Sequence, residues 1–322
     1  MAGRRRKKSG GRSYAWRYRG RIVACVFIEV IIICALVIMI GWNKGVKEWF
    51  EQFEQPILKE VDISGINSPN AILMQARGGK ILGEINGEAQ IYPASMTKIM
   101  TVILGIENFD DLDEKITLTN EMFTGLYEQD ATQAGFQPGE EVRVIDLLYG
   151  AMLPSGAECC IALADTISGS EADFAELMNK KARKLGMENT HFCDSTGLHN
   201  PDHYSTVKDI AVLMKYCIKN DTFREIVETS RHSTGVTNIH PDGITYYSTM
   251  FKNLSDPTVT GGKILGGKTG YTSEAGHCLV SFAEIEGREY IFVSAGASGA
   301  DGNTIPHIQD AVTVYNRVGA AI

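Results

Sequence analysis

Between Ile22 and Gly41 the chain runs through 20 residues that are apolar, broken only by Glu29. As a helix, such a run covers about 30 Å, the hydrocarbon thickness of a bilayer. It therefore separates the chain into parts that cannot share one core. Residues 1–21 hold nine of the 31 basic residues and no acidic one. A basic flank on the N-terminal side places that end in the cytoplasm. The run is longer than an ordinary signal-peptide core, and no small-x-small cleavage site follows it, since the next residues are Trp42-Asn43-Lys44. An uncleaved signal anchor over 22–41 is expected, with a cytoplasmic tail over 1–21. The apolar run also displaces a nucleic-acid reading of the basic arm.

Everything after Gly41 is then expected outside the cytoplasm. It carries 22 basic and 38 acidic residues, a net of −16. Bulk charge of that sign does not attract nucleic acid or anionic lipid. Five cysteines fall in this part, Cys159, Cys160, Cys193, Cys217 and Cys278. Disulfide-stapled domains favour even numbers, and no C-x-x-C pair marks a zinc site. Adjacent Cys159 and Cys160 read as small buried residues of a helix.

Residues 42–59 read as a polar spacer, and a single large domain is expected over 60–322. Ala71–Ala76 and Lys80–Ile85, joined at Gly78-Gly79, predict a β-hairpin. Residues 107–235 are mostly helical in pattern. Helices are expected over Phe174–Leu185, over Val207–Tyr216 with Asp209 early and Lys215 late, and over Ile308–Val318. Cys278–Ala283 and Tyr290–Ala295, joined by Glu286-Gly287-Arg288, predict two late strands. Early strands, a helical middle and late strands predict one sheet with a helical insertion, an α+β arrangement rather than a doubly wound parallel one.

The chemistry centres on Ser95-Met96-Thr97-Lys98. A serine hydroxyl attacks a carbonyl only when a base takes its proton. On a helix, a lysine three residues later shares the serine's face. Pro93 suits a helix entry, and the positive end of the helix favours developing negative charge at Ser95. Far along the chain, Lys268-Thr269-Gly270 lies in a strand-like context, and the two motifs together resemble the pairing found in penicillin-binding enzymes.

Two other patterns are set aside. Gly262 to Thr269 matches the phosphate-loop spacing G-x-x-x-x-G-K-T, but no helix is expected after it, so nucleotide binding is not expected. Its glycines fit a strand edge that a substrate approaches closely. His199 and His203 have metal-helix spacing, but Asn200-Pro201-Asp202 breaks any helix between them.

With these motifs in view, the chain resembles the D-alanyl-D-alanine carboxypeptidases, the low-molecular-mass penicillin-binding proteins of peptidase family S11. The resemblance covers about residues 60–318. Beyond the two motifs it rests on Tyr92 to Thr101, Leu147 to Gly156, Leu185 to Phe192, Gly197-Leu198, His203 to Thr206, and Gly267 to Thr272 with Ala275-Gly276. It implies a β-lactamase/transpeptidase-like α+β fold, with a central antiparallel sheet flanked by helices and a helical subdomain. Here that body would follow one N-terminal transmembrane helix.

The implied reaction is acyl transfer from the D-Ala-D-Ala end of peptidoglycan stem peptides. Ser95 would be the nucleophile, Lys98 the base and Ser155 the proton relay to the leaving D-alanine. Lys268, Thr269, Gly270 and Tyr271 would bind substrate, with the N–H groups of Ser95 and Tyr271 as oxyanion hole. Lys268 would be the second cation that, with burial, lowers the pKa of Lys98. β-Lactams would acylate Ser95, and no cofactor or metal is implied.

Two departures stand out. The family's second motif is usually Ser-x-Asn, whereas this chain has Ser155-Gly156-Ala157. The C-terminal β-rich domain and amphipathic helix of many relatives are not expected before Ile322, so the N-terminal anchor would replace that tether. No arginine occurs in 296–303 to hold the carboxylate, which leaves the task to Lys268 and Thr269. A stem-peptide-binding protein impaired by Ala157, a β-lactamase and a D,D-endopeptidase remain as alternatives.

Overall fold

The computed structural model describes residues 60–299 and 305–322. The basic tail, the apolar run and the spacer lie outside the described residues. Among the described residues no helix is long and apolar enough to cross a membrane.

A six-stranded antiparallel sheet forms the frame. It comprises β1 (Asn70–Gln75), β2 (Ile81–Ile85), β7 (Thr258–Val259), β8 (Gly262–Thr272), β9 (Gly276–Ile285) and β10 (Arg288–Ala297), in the order β2-β1-β10-β9-β8-β7. The earliest and latest strands are neighbours, with Ile72 opposite Val293. Everything between β2 and β7 is one insertion.

Period-two alternation sends each central strand into two cores. Ile72 and Met74, Val280 and Phe282, and Ile291 and Val293 enter the larger core on the helical side. Ala71 and Leu73, Leu279 and Ala283, and Tyr290 and Phe292 enter a smaller core on the opposite face. Both faces are therefore covered, so these strands read as nearly continuous apolar runs.

The smaller core is closed by the C-terminal helix Pro306–Ala321, which presents Ile308, Ala311, Val314, Tyr315 and Val318 at helical spacing. The larger core is built by helices of the insertion. In chain order the helices are α1 (Lys98–Asn108), α2 (Val144–Met152), α3 (Ala157–Ser168), α4 (Glu171–Leu185), α5 (Val207–Cys217), α6 (Asp221–Glu228), α7 (Thr249–Asn253) and the C-terminal α8. α1 lies in the middle of this core, packed on α2, α3 and α5. The start signals read from sequence hold at α5, where Thr206 caps the N–H of Asp209 at 3.0 Å. The five cysteines of the body are free thiols, and Cys159 and Cys160 are fully buried on α3.

One feature departs from the sequence expectation. The insertion contains two small antiparallel pairs, β3 (Lys115–Thr117) with β4 (Glu141–Arg143), and β5 (Arg231–Ser233) with β6 (Thr245–Tyr247). Three residues are too few to display a period. As expected from the sequence, the phosphate-loop pattern lies within a strand, β8, and no helix end follows it.

The two-core arrangement makes Phe292 a sensitive probe, since it is fully buried and meets Tyr315 edge-on at 6.2 Å. Phe292→Ala is expected to lower unfolding free energy by about 3–5 kcal/mol, read from the shift in denaturant midpoint.

Candidate active site

Ser95 sits in a single 3-10 turn, Ala94–Thr97, and Lys98 is the first residue of α1. The expected placement inside an α-helix is thus refined. Three residues per turn eclipse positions i and i+3, which stacks Lys98 over Ser95. Lys98 Nζ donates to Ser95 Oγ at 3.0 Å and to the Thr196 carbonyl at 2.6 Å. Only 3% of Lys98 is exposed, and burial lowers its pKa below the ordinary 10.5. Nearby Cys160, Asp194 and Glu158 act in the opposite direction. Burial is the largest cause of the Lys98 depression, and burial together with repulsion from Lys98 pushes Lys268 down as well. Repulsion between like charges is mutual, so each lysine disfavours the charged form of the other.

The loop 194–197 fastens this turn. Asp194 Oδ1 accepts the N–H groups of Thr196 at 2.7 Å and Gly197 at 2.6 Å, and the Thr196 hydroxyl at 2.7 Å. Asp194 Oδ2 lies 3.1 Å from His203 Nδ1, and His203 Nε2 lies 2.9 Å from Thr97 Oγ1. Thr101 donates to the Ser195 carbonyl at 2.6 Å, and the Ser195 hydroxyl to Glu171 at 2.5 Å. His203 is therefore a structural loop histidine. Gly197 has φ +80, and a Cβ there would fall 1.9 Å from the Ala94 carbonyl oxygen. Only glycine lets the loop come this close.

β8 supplies the opposite wall. Its partner β7 pairs only with Gly262 and Lys263, so the edge from Lys268 to Thr272 is open on that side. Lys268 is 1% exposed and donates to the Thr269 carbonyl at 3.0 Å. Thr269 Oγ1 is 2.6 Å from Thr249 Oγ1 on α7. A Cβ on Gly270 would lie 3.0 Å from the Ser95 nitrogen, so the close approach it permits is that of the nucleophile turn. Tyr271 follows at the rim, 61% exposed and tilted over His277 at 4.7 Å between centroids. Ser155 lies two residues before α3, buried, with φ +74, a conformation uncommon outside glycine. Ala157 is 1% exposed and offers no polar group.

The model of the D-alanyl-D-alanine carboxypeptidase family matches residues 57–299. The chain belongs to this family. Among its relatives, the carboxypeptidase DacF of Bacillus subtilis is 35% identical over 233 residues, covering 71% of this chain and 57% of that protein. A Streptomyces D-alanyl-D-alanine carboxypeptidase is 35% identical over 236 residues, covering 71% of this chain and 78% of its own. A solved serine-to-alanine variant of a Streptomyces DD-transpeptidase superposes with a TM-score of 0.72 at 30% identity, covering 80% of this chain and 99% of that one. The chain spans about three fifths of the length of the Bacillus and Escherichia relatives it matches. The transpeptidase-like α+β fold expected from the motifs is the fold observed.

Family membership accounts for the two motifs, while several parts of the site are invisible at motif level. The Thr196 carbonyl, Thr249 and the Asp194–His203–Thr97 chain were not anticipated. Asp194-Ser195-Thr196-Gly197 does carry a signal, because Asp followed two residues later by a hydroxyl and then Gly is turn chemistry. Burial alone would raise the Asp194 carboxyl, but the bond and charge of His203 and the bonds from Thr196 hold it at about 2. A depressed carboxylate contributes stability that is present above the ordinary 3.8 and is lost as pH falls towards about 2. Asp194→Asn is expected to remove roughly 2 kcal/mol at neutral pH and to flatten the acid limb of a stability-versus-pH curve.

Proposed function

We propose that this chain is a serine-type D-Ala-D-Ala carboxypeptidase that removes the terminal D-alanine from peptidoglycan stem peptides. The carrying observation is Lys98 Nζ at 3.0 Å from Ser95 Oγ, with the lysine buried and its pKa lowered. A lysine in that state takes the serine proton as Ser95 attacks the carbonyl between the two D-alanines. The N–H groups of Ser95 and Tyr271 hold the oxyanion, a reading supported by the packing of Gly270 on the Ser95 nitrogen. The substrate carboxylate favours the protonated form of Lys268 beside it, and the Thr249–Thr269 hydroxyl pair supplies hydrogen bonds to that carboxylate. Protonated Lys98 then returns the Ser95 proton through the Ser155 hydroxyl, which donates its own proton to the departing amine as it accepts one. Water then hydrolyses the ester on Ser95. A β-lactam, which resembles the D-Ala-D-Ala end, acylates the same Ser95 oxygen as its ring amide bond breaks, its amine staying tethered to the acyl group.

Ala157 favours a second reading, a stem-peptide-binding protein with impaired turnover. Loss of one polar contact costs about 1–3 kcal/mol of transition-state binding, or about 5–200-fold in rate. That loss leaves a measurable enzyme. The full chain in detergent micelles is expected to release D-alanine from a peptide ending in D-Ala-D-Ala, and Ser95→Ala to release none. Activity rises with pH as Lys98 loses its proton, on a limb below the ordinary lysine value. Absence of release from the unaltered chain, with retained peptide binding, sinks the carboxypeptidase in favour of the binding protein.

The placement of the body follows from residues 1–41. Residues 22–41 span the membrane, the basic tail is cytoplasmic, and residues 60–322 work outside, where peptidoglycan is. The support is the 20-residue apolar run with its one-sided basic flank. Protease added to intact spheroplasts is expected to digest the catalytic body, and protection of that body would reverse the topology.

A further inference from the structure

Glu158 is a carboxyl that the proposed acyl transfer does not use. It lies fully buried in the first turn of α3. Its Oε1 accepts the N–H groups of Ala134 at 2.6 Å and Gly135 at 2.9 Å, and its Oε2 has no partner among the described residues. The Ala157 N–H donates to the Thr132 carbonyl at 2.8 Å. Three bonds thus join the start of α3 to segment 132–135.

The turn Ser155-Gly156 is pressed against that segment. A Cβ on Gly156 would fall 2.7 Å from the Ala134 Cβ and 3.0 Å from the Ala134 nitrogen. The Gly156 N–H is held by the Gly150 carbonyl at 2.8 Å. Ser155, at φ +74, is in a backbone state that a serine keeps only when its surroundings enforce it. With Ala157 unable to make polar contacts, Glu158 is the nearest following side chain in sequence able to brace this turn.

We propose that Glu158 is a positioning residue: by fixing segment 132–135 against the Ser155-Gly156 turn, it holds Ser155 in the orientation that protonates the leaving amine. This rests on the reading of Ser155 as the proton relay. Burial raises the carboxyl of Glu158, which favours its neutral form. A neutral acid also spares Lys98 a nearby negative charge that would raise its pKa. Glutamine has nearly the same shape and keeps an acceptor oxygen for both N–H groups.

The test uses the full chain and two substrates, a D-Ala-D-Ala peptide and a thioester analogue whose thiolate departs without a proton. Glu158→Ala is expected to lower kcat on the peptide about 100-fold at nearly unchanged KM, and kcat on the thioester no more than about threefold. Glu158→Gln restores peptide turnover to within about fivefold of the unaltered chain, and Glu158→Ala adds no further loss in a Ser155→Ala background. Equal loss on both substrates, a glutamine variant as poor as the alanine one, or full additivity with Ser155→Ala would each overturn the proposal. Should the alanine variant not fold, Glu158→Asp decides. It is one methylene too short to reach both N–H groups, and unchanged peptide turnover in it would equally refute the role. The Ser155 reading fails separately if Ser155→Ala lowers both substrates alike, and the additivity test then decides Glu158 alone.

Discussion

Burying the amine of Lys98 is the constraint on which the rest of the structure depends. A lysine almost wholly removed from water is expensive while charged, so its neutral form gains ground. That condition needs dense apolar surroundings and a few fixed acceptors, here Ser95 Oγ and the Thr196 carbonyl. α1 provides the first by lying in the middle of the larger core. The 194–197 loop provides the second; Asp194 and His203 hold that loop to the nucleophile turn, and Glu171 ties it to α4.

The sheet and the insertion divide the labour. The central strands β1, β9 and β10 bury both faces, and the edge strand β7 is too short to cover β8 beyond Lys263. The uncovered edge brings Lys268, Thr269 and Gly270 against the 3-10 turn. Glycine at 197 and at 270 removes the side chains that would hold these walls apart. The site is therefore a seam between an edge strand and a helical insertion, both anchored in one core.

Both serine-bearing turns carry a non-glycine residue with positive φ, Ala94 at +47 and Ser155 at +74. Such residues persist where neighbouring structure over-determines them. At Ala94 the neighbours are Gly197 and Gly270. At Ser155 they are segment 132–135 and the first turn of α3. Among the described residues Asn86, Asp130 and Glu286 also have positive φ, so such backbone is not confined to the site, but both serine-bearing turns contain it.

Much of the frame was legible in the sequence. The hairpin β1–β2, the helices α5 and α8 and the late strands follow from periodicity and turn residues, which are local properties. The pairing of Ser95 with Lys98 is local too, because three residues separate them. What the sequence by itself determined is which elements form and which side chains bear chemistry. The pairs β3–β4 and β5–β6 were too short to show a period. The Thr196 carbonyl is a backbone group that no residue type announces, and it reaches Lys98 across 98 positions. The bracing of Ser155 and the depression of Lys98 and Lys268 also depend on distance and burial. Those quantities exist only once distant segments pack together, so tertiary structure alone decided them.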